Sequence, residues 1–176
     1  MALLPIVVVP DPVLKQVAQE VQSISPLVRK QIEDMAETMY AAPGIGLAAN
    51  QVGMLNRVFV MDTAFRDNEA SRSYTAMINP EIVWASDEMS VMEEGCLSIP
   101  GMFAEVQRPM SVRVGFLDIN GAKQELLVEG LASHCVQHEL DHLNGTLFID
   151  HLSSLKKNMI LRRFKKAQRE QARDSL

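Results

Sequence analysis

The sequence predicts an α+β fold in which mainly antiparallel sheets pack around a central helix, with N-terminal helices and a C-terminal helix completing the chain. Three observations carry this. From residue 57 to residue 128 the chain runs in short segments rich in Val, Ile, Phe and Tyr, separated by Gly, Pro and Asn. Leu131, Cys135, His138 and His142 then recur at the three-and-four spacing of one helix face, with Gly145 placed to end the helix. Asp-Pro and Ser-Pro pairs near the N-terminus are helix starts, and apolar residues recur at near-helical spacing in the basic C-terminal segment. With 176 residues, 47 % of them hydrophobic, the chain can bury one sizeable core, and residues 1–176 read as a single domain.

Taken in order, residues 1–9 are apolar but broken by Pro5, closed by Pro10 and free of a basic leader, which fits neither a signal peptide nor a membrane span. Pro10-Asp11-Pro12 predicts a short helix reaching about Glu20, capped by Asp11. Ser25-Pro26 predicts a second, which turns Leu27, Val28, Ile32, Met35 and Met39 to the core and stops at Pro43-Gly44. The methionines at 35, 39, 54 and 61 read as core filling. Gly44-Ile45-Gly46 allows a turn or a close backbone approach. Strands follow at Val58-Phe59-Val60-Met61 and, after a polar loop over 66–73, at Tyr74-Thr75-Ala76-Met77-Ile78 and Glu81-Ile82-Val83-Trp84, interrupted by Asn79-Pro80. Residues 93–101 read as a loop. Phe103-Ala104-Glu105-Val106 and Ser111-Val112-Arg113-Val114-Gly115-Phe116-Leu117 are strands, the second joined through a two-residue Asn120-Gly121 turn to Gln124-Glu125-Leu126-Leu127-Val128. The C-terminal helix, over 153–172, carries Leu155, Met159, Ile160 and Phe164 inward, and its other faces hold seven of the chain's 17 basic residues: Lys156, Lys157, Arg162, Arg163, Lys165, Lys166 and Arg169.

The chemistry sits on the central helix. Gln137-His138-Glu139-Leu140-Asp141-His142 contains a His-Glu-x-x-His run, and residues four apart share a helix face, so both imidazoles can hold one metal ion. Glu139 projects beside them, where a carboxylate can take a proton from water and return it. Two histidines leave a divalent ion under-coordinated. A third His at the metzincin spacing is excluded, because Phe148 stands there. The acids beyond Asp150, Glu170 and Asp174, lie in a basic tail. Cys135 precedes His142 by seven residues, about 10 Å of helix rise, too far to share its ion. Cys96, flanked by Gly and Pro, can be brought to the helix by the fold and is the third ligand expected, which makes the central helix a metal-binding one. One sulfur and two nitrogens accept zinc, iron, nickel or cobalt. With that cysteine engaged no disulfide pair remains, and a cytoplasmic location follows. The net charge of −5 argues against DNA or an anionic membrane as partner.

Gly44-Ile45-Gly46-Leu47-Ala48-Ala49-Asn50-Gln51-Val52-Gly53, Glu94-Gly95-Cys96-Leu97-Ser98 and the His-Glu-x-x-His run resemble, in this order, the three motifs of the peptide deformylase family. The resemblance spans the chain. It implies a metal-dependent hydrolase that removes the N-formyl group from the N-terminal methionine of newly synthesised polypeptides, releasing formate, with ferrous iron as the physiological ion. It also implies that the Gln51 amide and the backbone N–H of Leu97 meet charge developing on the formyl oxygen. Ile45, Gly46 and Gly95 would contact the substrate backbone, added as an extra strand. Glu94, Leu131, His134 and Cys135 would surround the methionine pocket. Three positions depart from the usual family residues: Pro43 replaces an acid, Phe103 an arginine that can pair with the Glu before Gly-Cys, and His134 an aliphatic residue. They leave the partner of Glu94 open, and His134 either packs there as a bystander that meets water or lines the pocket and gives it a polar edge. For a nascent-chain enzyme the basic C-terminal helix suits docking near ribosomal RNA. The alternatives are a metallopeptidase, opposed by Phe148, and an inactive relative that binds formylated N-termini or ribosomes, opposed by the intact Gln51, Cys96, His138, Glu139 and His142.

Overall fold

Ser25 accepts a hydrogen bond from the Val28 amide (3.3 Å) and Pro26 fills the first position of α1 (Pro26–Ala41), so this helix begins where its cap signal stands. The structure, a computed structural model, describes residues 2–66 and 70–176; part of the polar loop expected over 66–73 lies outside the described residues. Along α1, Ile32, Met35 and Met39 are fully buried, whereas Leu27 is 79 % exposed, so the apolar stripe starts at Val28. The first predicted helix shrinks to one 3-10 turn, Pro12–Lys15. Asp11 does cap it, but beyond it the Ala18 and Gln19 amides donate to Leu143 and Leu55 carbonyls (2.8 and 2.9 Å), and these tertiary bonds hold the chain extended.

The main sheet is antiparallel and has five strands. Its order is β1 (Gly46–Ala48), β2 (Val58–Met61), β3 (Thr75–Ala85), then β6 (Ser111–Leu117) and β7 (Lys123–Glu129), while β4 (Met89–Cys96) and β5 (Ile99–Pro109) form a separate two-stranded sheet. β2 reads as an unbroken apolar run because both of its faces are covered: Phe59 and Met61 join the core under the histidine-bearing helix, Val58 and Val60 the core under α1. Each such side chain contributes roughly 1.5–3 kcal/mol by leaving water. The two strands expected around Asn79-Pro80 are one strand with a bulge. Register shifts between Ile78 and Glu81, Asn79 takes φ +50°, and its side chain is pinned by the Val21 amide and carbonyl (2.8 and 2.9 Å). The segment read as a loop over 93–101 is the tip of the β4–β5 hairpin, with Cys96 ending one strand and Ile99 opening the next. The predicted two-residue turn at Asn120-Gly121 is a longer connection over 118–122, closed by the Asp118 carboxylate accepting from the Asn120 and Ala122 amides (2.9 and 3.0 Å).

α2 (Leu131–Leu143) packs against β1, β2, β5, β6 and β7 and is buried around most of its circumference. Polar residues survive there because they are paired: Ser133 Oγ and Gln137 Nε2 both donate to the Pro109 carbonyl at 3.0 Å. At its C-terminal end the Arg57 guanidinium reaches the Leu143 carbonyl (3.2 Å) and Asn144 Oδ1 (3.0 Å). Gly145 follows at φ +75°, where a Cβ would lie 2.5 Å from the Lys15 carbonyl oxygen, so glycine alone fits. A 3-10 turn, Phe148–His151, leads to α3 (Ser154–Asp174), which docks on β5 through Ile160 and Phe164. Its inner stripe is narrower than expected, since Leu155 (72 %) and Met159 (40 %) are exposed. No helix among the described residues is long and apolar enough to cross a membrane.

Candidate metal centre and cleft

One turn of α2 sets His138 and His142 side by side, and the β4–β5 tip brings Cys96 to them across the gap between the two sheets. The Cys96 Sγ to His142 Nε2 and His142 Nε2 to His138 Nε2 separations are both 3.3 Å, and all three donor atoms lie within 4.8 Å of one another. Tetrahedral bonds of about 2.0–2.3 Å to nitrogen and sulfur require donor separations of about 3.3–3.6 Å. The residues present therefore fit a divalent ion. Cys135 lies apart from the triad, its thiol turned to the Ile45 carbonyl at 3.6 Å. Phe148, at the metzincin position, stacks on the His138 ring with centroids 6.0 Å apart.

A cleft of about 680 Å³ opens beside these donors. Ile45, Gly46, Gln51, Glu94, Gly95, Cys96, Leu97, Leu131, His134, Cys135, His138 and Glu139 all line it, whereas His142 is fully buried behind them. Glu139 is 4 % exposed and its Oε2 has no hydrogen-bond partner among the described residues. Burial, the largest influence, pushes its carboxyl up to about 7. Gly46 owes its identity to this carboxylate, because a Cβ there would stand 2.4 Å from Glu139 Oε1 and 3.0 Å from Cys135 Sγ. Gln51 is held at both ends of its amide: Oε1 accepts from the Ala48 amide (3.0 Å), while Nε2 donates to Ser98 Oγ (3.1 Å) and lies 3.5 Å from Cys96 Sγ.

Glu94 is more than a wall of the cleft. Its Oε1 faces His138 Nδ1 at 3.0 Å and its Oε2 faces His134 Nδ1 at 2.9 Å, which orients His138 so that Nε2 points at the other donors. The partner left open by Phe103 is Arg108 on β5, bidentate through Nε (2.7 Å) and Nη2 (3.0 Å). Burial alone would raise the Glu94 carboxyl, but hydrogen bonds from His138 and Arg108 and the guanidinium charge outweigh it and hold the group well below the carboxylate range. Arg108 also reaches Asp141 Oδ2 (2.8 Å), which meets His151 Nε2 at 2.8 Å. His134 keeps both ring nitrogens engaged within the protein, Nε2 by Ser90 Oγ at 2.8 Å. Sequence reasoning missed Ser90, Ser98, Arg108 and Asp141; Ser98 and Asp141 sit inside the recognised motifs, but Ser90 and Arg108 are placed by the pairing of β4 with β5.

Two helix-borne histidines with an intervening glutamate, a thiol from a neighbouring hairpin and an open cleft define a hydrolase of the His-Glu-x-x-His class. A family profile described as "Polypeptide deformylase" matches residues 3–158. The chain belongs to the polypeptide deformylase family. It is 51 % identical over 175 residues to the peptide deformylase of Methylocella silvestris, covering 99 % of this chain and 89 % of that one. To that of Mesorhizobium japonicum it is 49 % identical over 172 residues, covering 98 % and 97 %. Among solved structures, a peptide deformylase from Legionella pneumophila superposes with a TM-score of 0.91 at 41 % identity, covering 98 % of this chain and 99 % of that one. The Ehrlichia chaffeensis peptide deformylase in complex with actinonin superposes at 0.89, also at 41 % identity, with 96 % and 99 % covered.

Proposed function

We propose that residues 1–176 act as one catalytic domain in the cytoplasm, removing the N-formyl group from the N-terminal methionine of newly synthesised polypeptides and releasing formate. The observation that carries this is the convergence of Cys96, His138 and His142 beside Glu139 and Gln51 at one cleft, in a chain of this family. Cys96 Sγ and the two imidazole Nε2 atoms would hold the ion, with Glu94 and Arg108 behind His138. When bound, a divalent ion supplies Lewis acidity toward a carbonyl oxygen and lowers the pKa of water. By family resemblance that ion is ferrous iron, and the donor set also suits zinc, nickel or cobalt.

Hydrolysis adds water across the formyl carbonyl and breaks the C–N bond. Glu139 takes the proton from water and hands it to the leaving amine nitrogen. Gln51 Nε2 and the Leu97 backbone N–H donate toward the oxygen as it gains charge. Ile45, Gly46 and Gly95 line the path of the substrate backbone. Leu131, His134 and Cys135, with Glu94 behind them, wall the pocket for the methionine side chain. Actinonin, found in the Ehrlichia chaffeensis relative, is expected to bind the same cleft. The basic faces of α3 are assigned to ribosome contact.

Formate release from a formyl-Met peptide, measured anaerobically with added iron, tests the activity. Release from that peptide, with unformylated and internal peptides left intact, is the result expected. Cleavage of internal bonds would instead establish the metallopeptidase, and binding without turnover the inactive relative.

A further inference from the structure

His134 lines the cleft yet is only 2 % exposed, and it is held from both sides: Nδ1 by Glu94 Oε2 at 2.9 Å and Nε2 by Ser90 Oγ at 2.8 Å. Both Glu94 oxygens already accept from the Arg108 guanidinium, so His134 Nδ1 is the donor to Oε2 and Ser90 is the partner that closes the other nitrogen. The ring atoms left to meet anything in the cleft are carbons. A histidine locked this way presents an aromatic surface, well suited to a thioether or another unbranched apolar side chain. Without the serine hydroxyl, a buried ring nitrogen would stand unpaired at the pocket wall and would favour a ligand able to hydrogen-bond to it.

We propose that Ser90, on the separate β4–β5 sheet, is a positioning residue for substrate selection: it fixes the His134 ring so that carbon lines the side-chain pocket, and thereby excludes polar side chains of methionine's length. The assignment rests on the functional reading given above. Ser90 lies four residues before Glu94 on β4 and directly opposite Arg108 on β5, so the strand pairing that sets Arg108 against Glu94 also sets the distance from Ser90 to the ring.

The test compares kcat/KM for formyl-Met and formyl-Gln peptides in the parent, Ser90→Ala and Ser90→Thr, together with the 15N shifts of the His134 ring. In Ser90→Ala the Met-to-Gln preference should fall about tenfold, carried mainly by KM, because the freed nitrogen can pair with the glutamine amide. The Nε2 resonance should move with it. Ser90→Thr, which keeps the hydroxyl, should retain both the preference and the resonance. A general loss of stability would lower both substrates together and leave their ratio unchanged. An unchanged ratio or an unmoved resonance in Ser90→Ala overturns the assignment, as does a threonine variant that behaves like alanine. A parent inactive on formyl-Met peptide would overturn the function itself and its substrate preference, while the resonances would still decide whether Ser90 positions the ring.

Discussion

Glu139 is the side chain whose surroundings say most about its task. A carboxyl that burial lifts to about 7 is poised to exchange a proton near neutral pH, and its Oε2 lacks a competing partner. Glu139→Ala should therefore keep near-full metal content while turnover falls by a factor of about 10² or more. Metal loss comparable to that of His138→Ala would show that Glu139 is a ligand instead. The pH profile follows with a definite sign. As a base Glu139 works ionised, so kcat/KM should rise with pH along an acid limb, and a bound cation, which favours the ionised form, sets that limb at or below about 7. An acid limb that survives unchanged in Glu139→Ala would assign it to another group. The placement of the two histidines beside Glu139 was readable from the sequence because the three share one stretch of helix, whose geometry is local. Arg108 was not readable, since it meets Glu94 only through the hairpin register that pairs Glu94 with Ala104.

Between single side chains and the fold stands the β4–β5 hairpin, which is tied to α2 by buried charge. Arg108 is 4 % exposed and bridges Glu94 on β4 with Asp141 on α2. Arg108→Leu would leave Glu94 buried without its guanidinium and with imidazoles as its remaining partners, with an expected loss of about 3–5 kcal/mol in urea unfolding, larger than the loss in Arg108→Lys. A loss below about 1 kcal/mol would show that water replaces the guanidinium at little cost. The elements themselves were unevenly legible. α1, β2 and β6 carry complete local signals of cap or apolar pattern. β4 does not: Met89-Ser90-Val91-Met92-Glu93-Glu94 has neither β-branched density nor a fully apolar face, because half of it is solvated and its inward Glu94 is satisfied by the Arg108 guanidinium and two imidazoles. Asn79-Pro80 looked like a break for the same reason that it makes a bulge. Proline withholds a donor, and the sheet absorbs it with one register shift.

For the whole molecule, charge is unevenly shared. The chain carries −5 overall while α3 is strongly basic along its exposed faces. If that helix contacts ribosomal RNA, co-sedimentation with ribosomes should weaken steeply with salt and be lost when Lys156, Lys165 and Arg169 are changed to Glu, with formate release from short peptides retained. Salt-independent association would assign the contact to another surface. The candidate metal donors come from two parts of the fold, Cys96 at the hairpin tip and the histidines on the helix packed on the larger sheet. Metal supply thus becomes a variable of folding as well as of turnover: an ion bound only by the native arrangement adds about 2.7 kcal/mol at one hundred times its Kd. The urea midpoint should climb with added ion and drop with chelator, and a midpoint indifferent to both would mean that the hairpin needs no such fastening. Inside a cell, scarcity of the ion would then show first as a fall in how much of the protein survives proteolysis.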